Sequence, residues 1–188
     1  MAVYRITEGR EIRVAISGKS GCGNTTVSTL LAQKLGVALI NFTFRQLAEE
    51  KGLTLAQVIE AAKTDDSYDV TVDTRQVELA RARSCVLGSR LAIWMLKEAD
   101  LKVYLIADDD VRARRILNRE GGDIAEIKAF TAMRDREDSA RYQKLYGIDN
   151  NDFAFADLKI DTAAKSPEQI VQTILACLAE RGLVHVAG

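Results

Sequence analysis

The stretch from residue 12 to residue 36 constrains the fold more than any other. Ile12, Arg13, Val14, Ala15, Ile16 and Ser17 form a short, mostly apolar run with the character of a buried strand. Gly18, Lys19, Ser20, Gly21, Cys22 and Gly23 follow, then Asn24, Thr25 and Thr26 lead into a helical pattern over residues 25–35 that stops at Gly36. A glycine there suits a left-handed helix cap. Strand, glycine-rich loop and helix in that order make an anion cradle. Glycines let backbone N–H groups converge on a charge without Cβ clashes, and the helix N-terminus adds its dipole. Thr25 stands where a hydroxyl would hold Mg²⁺ in the pattern G-x-x-x-x-G-K-[ST]. The lysine of that pattern is Asn24 here, which leaves Lys19, early in the loop, as the candidate for the missing charge.

Short apolar runs alternate with longer helical stretches through the rest of the chain. Residues 37–41, 84–87, 101–106 and 157–161 read as four further strands, giving an α/β fold with a parallel sheet. Helical stretches over 44–51, 55–63 and about 68–83 fall between the second and third strands, with Thr54 capping the middle one. Ser166, Pro167 and Gln169 open a last helix that runs to about residue 181. The 188 residues show no repeat, linker or composition shift and read as one domain, with a loose arm before residue 11. At 47% hydrophobic and 28% charged residues, the chain can bury a core and is not disordered.

Composition also excludes several functions. Lys and Arg total 26 against 27 Asp and Glu, so the chain lacks the basic excess of a nucleic-acid partner. No apolar run is long enough for a membrane, and the first ten residues are too polar for a signal peptide, so a cytoplasmic monomer is expected. Cys22, Cys85 and Cys177 are far apart and His185 is the single histidine, which supports neither a disulfide framework nor a zinc site. Asp108, Asp109 and Asp110 precede a helix and read as its cap. Trp94 and Met95 read as core.

Phosphate chemistry must therefore rest on local clusters. Arg45 and Arg90 follow the second and third strands, where residues beyond the strand ends face the ligand crevice of an open α/β sheet. Arg112, Arg114, Arg115 and Arg119 follow the fourth. Arg134, Asp138 and Arg141 recur at i, i+4 and i+7, so on a helix they share a face, with Asp138 able to orient both guanidinium groups. A solvated, salt-bridged helix gives the same pattern. Tyr142 and Tyr146 share a helical face too.

Taken in order, these blocks resemble the cytidylate kinases, in particular the compact archaeal-type group also found in spirochaetes. The resemblance rests on residues 18–26, on Leu39-Ile40 with Phe44-Arg45, on Arg75-Gln76-Val77-Glu78-Leu79-Ala80, and on Arg90-Leu91 with Trp94-Met95-Leu96. It continues through Arg112-Ala113-Arg114-Arg115, residues 134–142 and Tyr146-Gly147-Ile148-Asp149. It implies a P-loop kinase with a five-stranded parallel sheet, an acceptor-nucleotide insertion over about 42–83 and a lid over about 118–150. The implied reaction moves the γ-phosphoryl of ATP, with Mg²⁺, to CMP or dCMP. Arg45 and Arg90 would then hold the acceptor phosphate. Arg134 and Arg141, with Asp138, would bring lid charge to the reacting phosphates, and Arg115 would stack on the donor adenine. Asp73 and Arg75 fall where a base or ribose contact belongs.

The chain also departs from the family pattern. Gly88-Ser89-Arg90 replaces an acidic residue and Gly before the arginine, Asn41-Phe42-Thr43 is shorter than the family's loop, and Asp69 stands where bacterial members carry an arginine. Asn24 and Gly88 thus remove one positive and one negative charge. They keep a second reading in view, a degenerate nucleotide-binding or sensing module without turnover.

Overall fold

The computed structural model describes residues 4–186. Its centre is a five-stranded parallel sheet in the order β3-β4-β2-β5-β6. These strands are β2 (Arg13–Gly18), β3 (Ala38–Ile40), β4 (Cys85–Gly88), β5 (Leu101–Ile106) and β6 (Leu158–Asp161). Val14, Ala15, Ile16, Val86, Leu87, Val103 and Leu105 are all within 1% of complete burial, as strands covered on both faces should be. The central strand β2 pairs with β4 on one side, with Ile16 opposite Gly88, and with β5 on the other, with Gly18 opposite Leu105.

Helices cover the two faces. On one, α1 (Asn24–Leu35) and α8 (Pro167–Glu180) enclose a cluster containing Val27, Leu31, Ile170, Ile174 and Leu175. On the other, α4 (Ser67–Arg81) and the single turn α5 (Ala92–Met95) pack Val77, Ala80, Ile93 and Leu96 against β4 and β5. Trp94 meets Tyr104 edge to face, with ring centroids 5.9 Å apart, so the core expectation for that residue holds. The insertion contributes α2 (Phe44–Lys51) and α3 (Leu55–Ala62), which share a small core of Phe42, Leu47, Ala48, Val58 and Val72. Thr54 caps α3 through a bond from the Gln57 N–H, and Ser166 does the same for α8 from Gln169.

β5 is followed by α6 (Asp109–Glu120) and the 23-residue α7 (Ile124–Tyr146), which pack against each other. Asp108 caps α6 and Asp123 caps α7, each accepting backbone N–H bonds. The expectation of a loose arm before residue 11 is corrected. Tyr4–Ile6 form β1, antiparallel to β7 (Val184–Val186), with Arg5 opposite the exposed His185, and Tyr4 and Ile6 pack on the main core. Three residues are too few to show a strand period, and their partner lies at the far end of the chain. Residues 1–3 of that predicted arm lie outside the described residues.

Candidate active site

β2 ends in the glycine loop, and α1 leaves it with Gly23 as an N-cap that supplies no side-chain acceptor. The first N–H groups of α1 therefore stay open to the crevice. Gly21 has φ 86° and lies against α6, where an added Cβ would stand 2.9 Å from the Arg112 carbonyl oxygen. Only glycine meets both demands. All nine residues from Gly18 to Thr26 line one cavity of about 730 Å³, together with Asn41, Gln76, Ser89, Arg90, Arg115 and Arg134.

Three sets of bonds hold the loop. The Arg112 side chain is almost wholly buried; its Nε donates to the Ser20 carbonyl at 2.7 Å, and its two terminal nitrogens reach Asp135 at 2.8 and 3.0 Å. Arg115 donates to the Gly21 carbonyl at 3.3 Å and to the Thr162 hydroxyl and carbonyl at 2.9 and 2.6 Å. Cys22 is buried beneath the loop, and that burial pushes its thiol up, against the pull of Arg112. Asn24 accepts from the Ser28 hydroxyl at 3.0 Å, so its amide oxygen is turned along α1 toward Gly88.

Arg90 is placed by β2. The buried Ser17 hydroxyl donates to the Ser89 carbonyl at 2.9 Å and accepts the Ile93 N–H at 3.1 Å, framing the turn that carries Arg90. The guanidinium then meets Asp138 of α7 at 2.6 Å. Asp138 is 7% exposed and also binds Arg141 at 2.8 Å, while Arg141 lies 3.4 Å from Asp69 of α4. Asp138 thus orients Arg141 and Arg90, not Arg141 and Arg134 as the helical spacing alone implied. Arg134 stays without an ion pair among the described residues. Burial and the neighbouring Arg90 cation lower its pKa.

A second cavity of about 380 Å³ opens between α2, α4 and α7, and Asp73, Arg90, Arg134 and Tyr142 border both. Its walls include Phe44, Val72 and Phe130, with Phe130 57% exposed, and the carboxylates Asp69, Asp73 and Asp138. Asp73 accepts a bond from Tyr146 at 2.7 Å, and burial pushes both Asp69 and Asp73 up. Arg45 and Arg75 line neither cavity. Arg45 is exposed at the start of α2, and Arg75 pairs with Glu50 and Glu78 at 3.7 and 3.2 Å.

Residues 13–164 match the model of the cytidylate kinase-like family. The chain belongs to that family. It is 41% identical over 176 residues to cytidylate kinase 2 of Borreliella burgdorferi, an alignment that covers 92% of this chain and 98% of that one. It is 38% identical over 167 residues to the cytidylate kinase of Archaeoglobus fulgidus, covering 87% and 93%. Among solved structures, shikimate kinase from Bacteroides thetaiotaomicron superposes with a TM-score of 0.61 at 18% identity, covering 89% of this chain and 98% of that one. That last likeness shows the fold alone, a parallel sheet flanked by helices.

Local spacing singles out neither the open acceptor of Gln76 nor the pairing of Arg112 with Asp135. Gln76 is 5% exposed, and its amide oxygen has no hydrogen-bond partner among the described residues. Asp69, Asp73 and Gln76 sit at i, i+4 and i+7 of α4, with Val72 between them, so polar residues at positions where a helix should be apolar were the available signal. Asp135 and Arg112 gave none, because the pair joins residues 23 apart in sequence.

Proposed function

We propose that this protein transfers the γ-phosphoryl group of ATP to CMP or dCMP, giving CDP or dCDP. One observation carries the reading. The uncapped glycine loop and Arg90, clamped by a buried Asp138, open onto the same crevice, and Arg90 joins it to a second cavity of nucleoside size. Family relatives named cytidylate kinase supply the reaction.

In this reading the loop N–H groups and the α1 N-terminus bind the donor phosphates, and Arg115 borders the donor adenine. The Thr25 hydroxyl makes no hydrogen bond among the described residues and stands free to hold Mg²⁺ together with the nucleotide. No group of three His, Cys, Asp or Glu side chains that could hold a metal ion occurs among the described residues. Bound there, Mg²⁺ would offset charge on the donor phosphates. Arg90 binds the acceptor phosphate, and Arg134 and Arg141 bring positive charge from α7. Arg45 is exposed and has no ion pair among the described residues, so a contact with the acceptor phosphate would require α2 to move. The acceptor needs no strong base because its phosphate is already ionised.

The second cavity supports a cytosine. Phe44, Val72 and Phe130 offer apolar walls, and the carboxyl oxygens of Asp69 and Asp73 offer acceptors for an exocyclic amino group. In the adjoining main cavity the Gln76 amide oxygen is a further open acceptor, and leaving it unpaired costs about 1–3 kcal/mol.

The test is ADP formation from Mg·ATP with CMP, dCMP, UMP, AMP and GMP offered separately, alongside Arg90→Ala. Turnover confined to the cytidine nucleotides, with a raised acceptor KM and lower kcat in the variant, supports the reading. Background turnover with every acceptor, in a protein that still binds ATP, would replace it with a nucleotide-sensing module.

A further inference from the structure

A phosphate loop needs a cation of its own, because the donor's negative charge grows on the leaving phosphate as the γ-phosphoryl departs. Position 24, where a lysine would supply it, holds Asn24, whose amide oxygen is occupied by the Ser28 hydroxyl. Six cationic side chains border the main cavity, Lys19, Arg90, Arg115, Arg119, Arg134 and Lys165. Arg90 is bound to Asp138, and Arg115 to Thr162 and the Gly21 carbonyl. Arg119 pairs with Glu120 at 2.5 Å, Lys165 precedes α8, and Arg134 rides on α7. Only Lys19 is carried by the loop itself.

Its surroundings keep it available. The Lys19 ammonium lies 3.9 Å from Asp135, beyond hydrogen-bond reach, with its side chain 34% exposed. Asp135 is already satisfied, since the buried Arg112 donates to one of its oxygens at 3.0 Å and pairs with the other at 2.8 Å. Lys19 therefore gives up little when it turns to a stronger anion. A lysine fits this role because its ammonium is a compact charge on a flexible stem. The same carboxylate ties α7 to the loop through Arg112 and the Ser20 carbonyl, so the cation's resting partner sits on the helix that carries Arg134 and Arg141.

We propose that Lys19 is the phosphate-loop cation of this enzyme, leaving Asp135 to neutralise the β- and γ-phosphates of ATP in place of the lysine absent at position 24. The assignment rests on the kinase reading above. In the step it serves, the bond between the γ-phosphorus and the β,γ-bridging oxygen breaks and a bond from that phosphorus to an acceptor phosphate oxygen forms. The bridging oxygen keeps the electron pair and leaves as part of ADP. Lys19 keeps its protons throughout and acts by charge alone.

The experiment compares wild type with Lys19→Met, Lys19→Arg and the double variant Lys19→Met with Asn24→Lys, reading kcat and KM for ATP at saturating CMP and the midpoint of urea unfolding. Removing one charged stabiliser of the transition state lowers kcat/KM for ATP by about a hundredfold or more. Lys19→Met should show that loss with its unfolding midpoint unchanged, since the side chain makes no hydrogen bond among the described residues. Either Lys19→Arg or the double variant should recover at least tenfold. A Lys19→Met enzyme within threefold of an active wild type overturns the assignment, as does a loss that neither restoring variant recovers. A wild type that turns over no monophosphate is a different result, and it removes the kinase reading together with this assignment.

Discussion

Gly88 ends β4 where β4 faces α1, and its replacement by alanine tests the packing that surrounds the loop. An added Cβ would stand 2.5 Å from the Ser28 hydroxyl oxygen and 2.8 Å from the Ser28 Cβ. Ordinary contact for such atoms is about 3.5 Å, so the overlap approaches 1 Å. Neither side can yield easily. β4 is paired on both edges, to β3 and β2, and Ser28 is 1% exposed in the middle of α1. Overpacking of this kind costs about 1–3 kcal/mol, and the rigidity of both neighbours points to the upper half, about 2–3 kcal/mol. In a chain of this length that lowers Tm by about 4–12 °C. Ser28→Gly alone also destabilises, by about 1–2 kcal/mol, through helix propensity and the lost bond to Asn24. The double variant, however, has room for the new methyl group and should be more stable than the sum of the singles by about 1–3 kcal/mol. Urea unfolding of the four proteins, with unchanged m-values, measures that coupling. Additivity within about 0.5 kcal/mol, or a Gly88→Ala protein as stable as wild type, refutes the contact and with it the reason why no acidic side chain fits at position 88 beside Ser28.

Three further outcomes are expected. Asp138→Asn removes the charge that holds Arg90 and Arg141; it should raise the KM for CMP about tenfold and cost about 1–3 kcal/mol in urea unfolding, discounted because both arginines are partly exposed. Asp73 has its pKa raised from 3.8 by burial, so the native state resists its ionisation. The stability tied to its proton is complete below the unfolded value and is lost as pH rises through the higher folded one. Asp73→Asn, which keeps an acceptor for Tyr146, should therefore gain stability relative to wild type between pH 4 and pH 7.5, seen in unfolding at the two pH values; a constant difference would contradict the burial argument. Thiol labelling at pH 8 should modify Cys177 first, because it is partly exposed. Cys22, raised by burial, and Cys85, pushed up to about 11, should react at comparable rates only after unfolding, and fast native labelling of Cys22 would show a loop more open than described.

Much of this architecture was legible in the residue order. The loop between β2 and α1, the three helices between β3 and β4, and the caps at Thr54, Asp108 and Ser166 all follow from local chemistry, and the structure places them within about two residues of expectation. The site was only partly legible. Arg90, Asp73, Arg115 and Arg134 border the crevice, whereas Arg75 is drawn to Glu50 and Glu78, and Arg45 is exposed. Glu78, three positions on along α4, marks one of those pairs in the sequence, whereas Glu50 on α2 is 25 positions away and that ion pair depends on how α2 packs against α4.

Hydrophobic alternation, glycine placement and capping residues act over a few positions, so the sequence by itself determined a parallel α/β sheet, a phosphate loop after its first long strand and an α7 bearing arginines. Tertiary structure decided which charges meet. Asp138 chose Arg90 over Arg134, Asp135 took up Arg112 and left Lys19 loosely held, and β1 found β7 across the whole length of the chain. An ion pair falls off with distance and depends on burial at both ends, and neither quantity exists until the helices have packed.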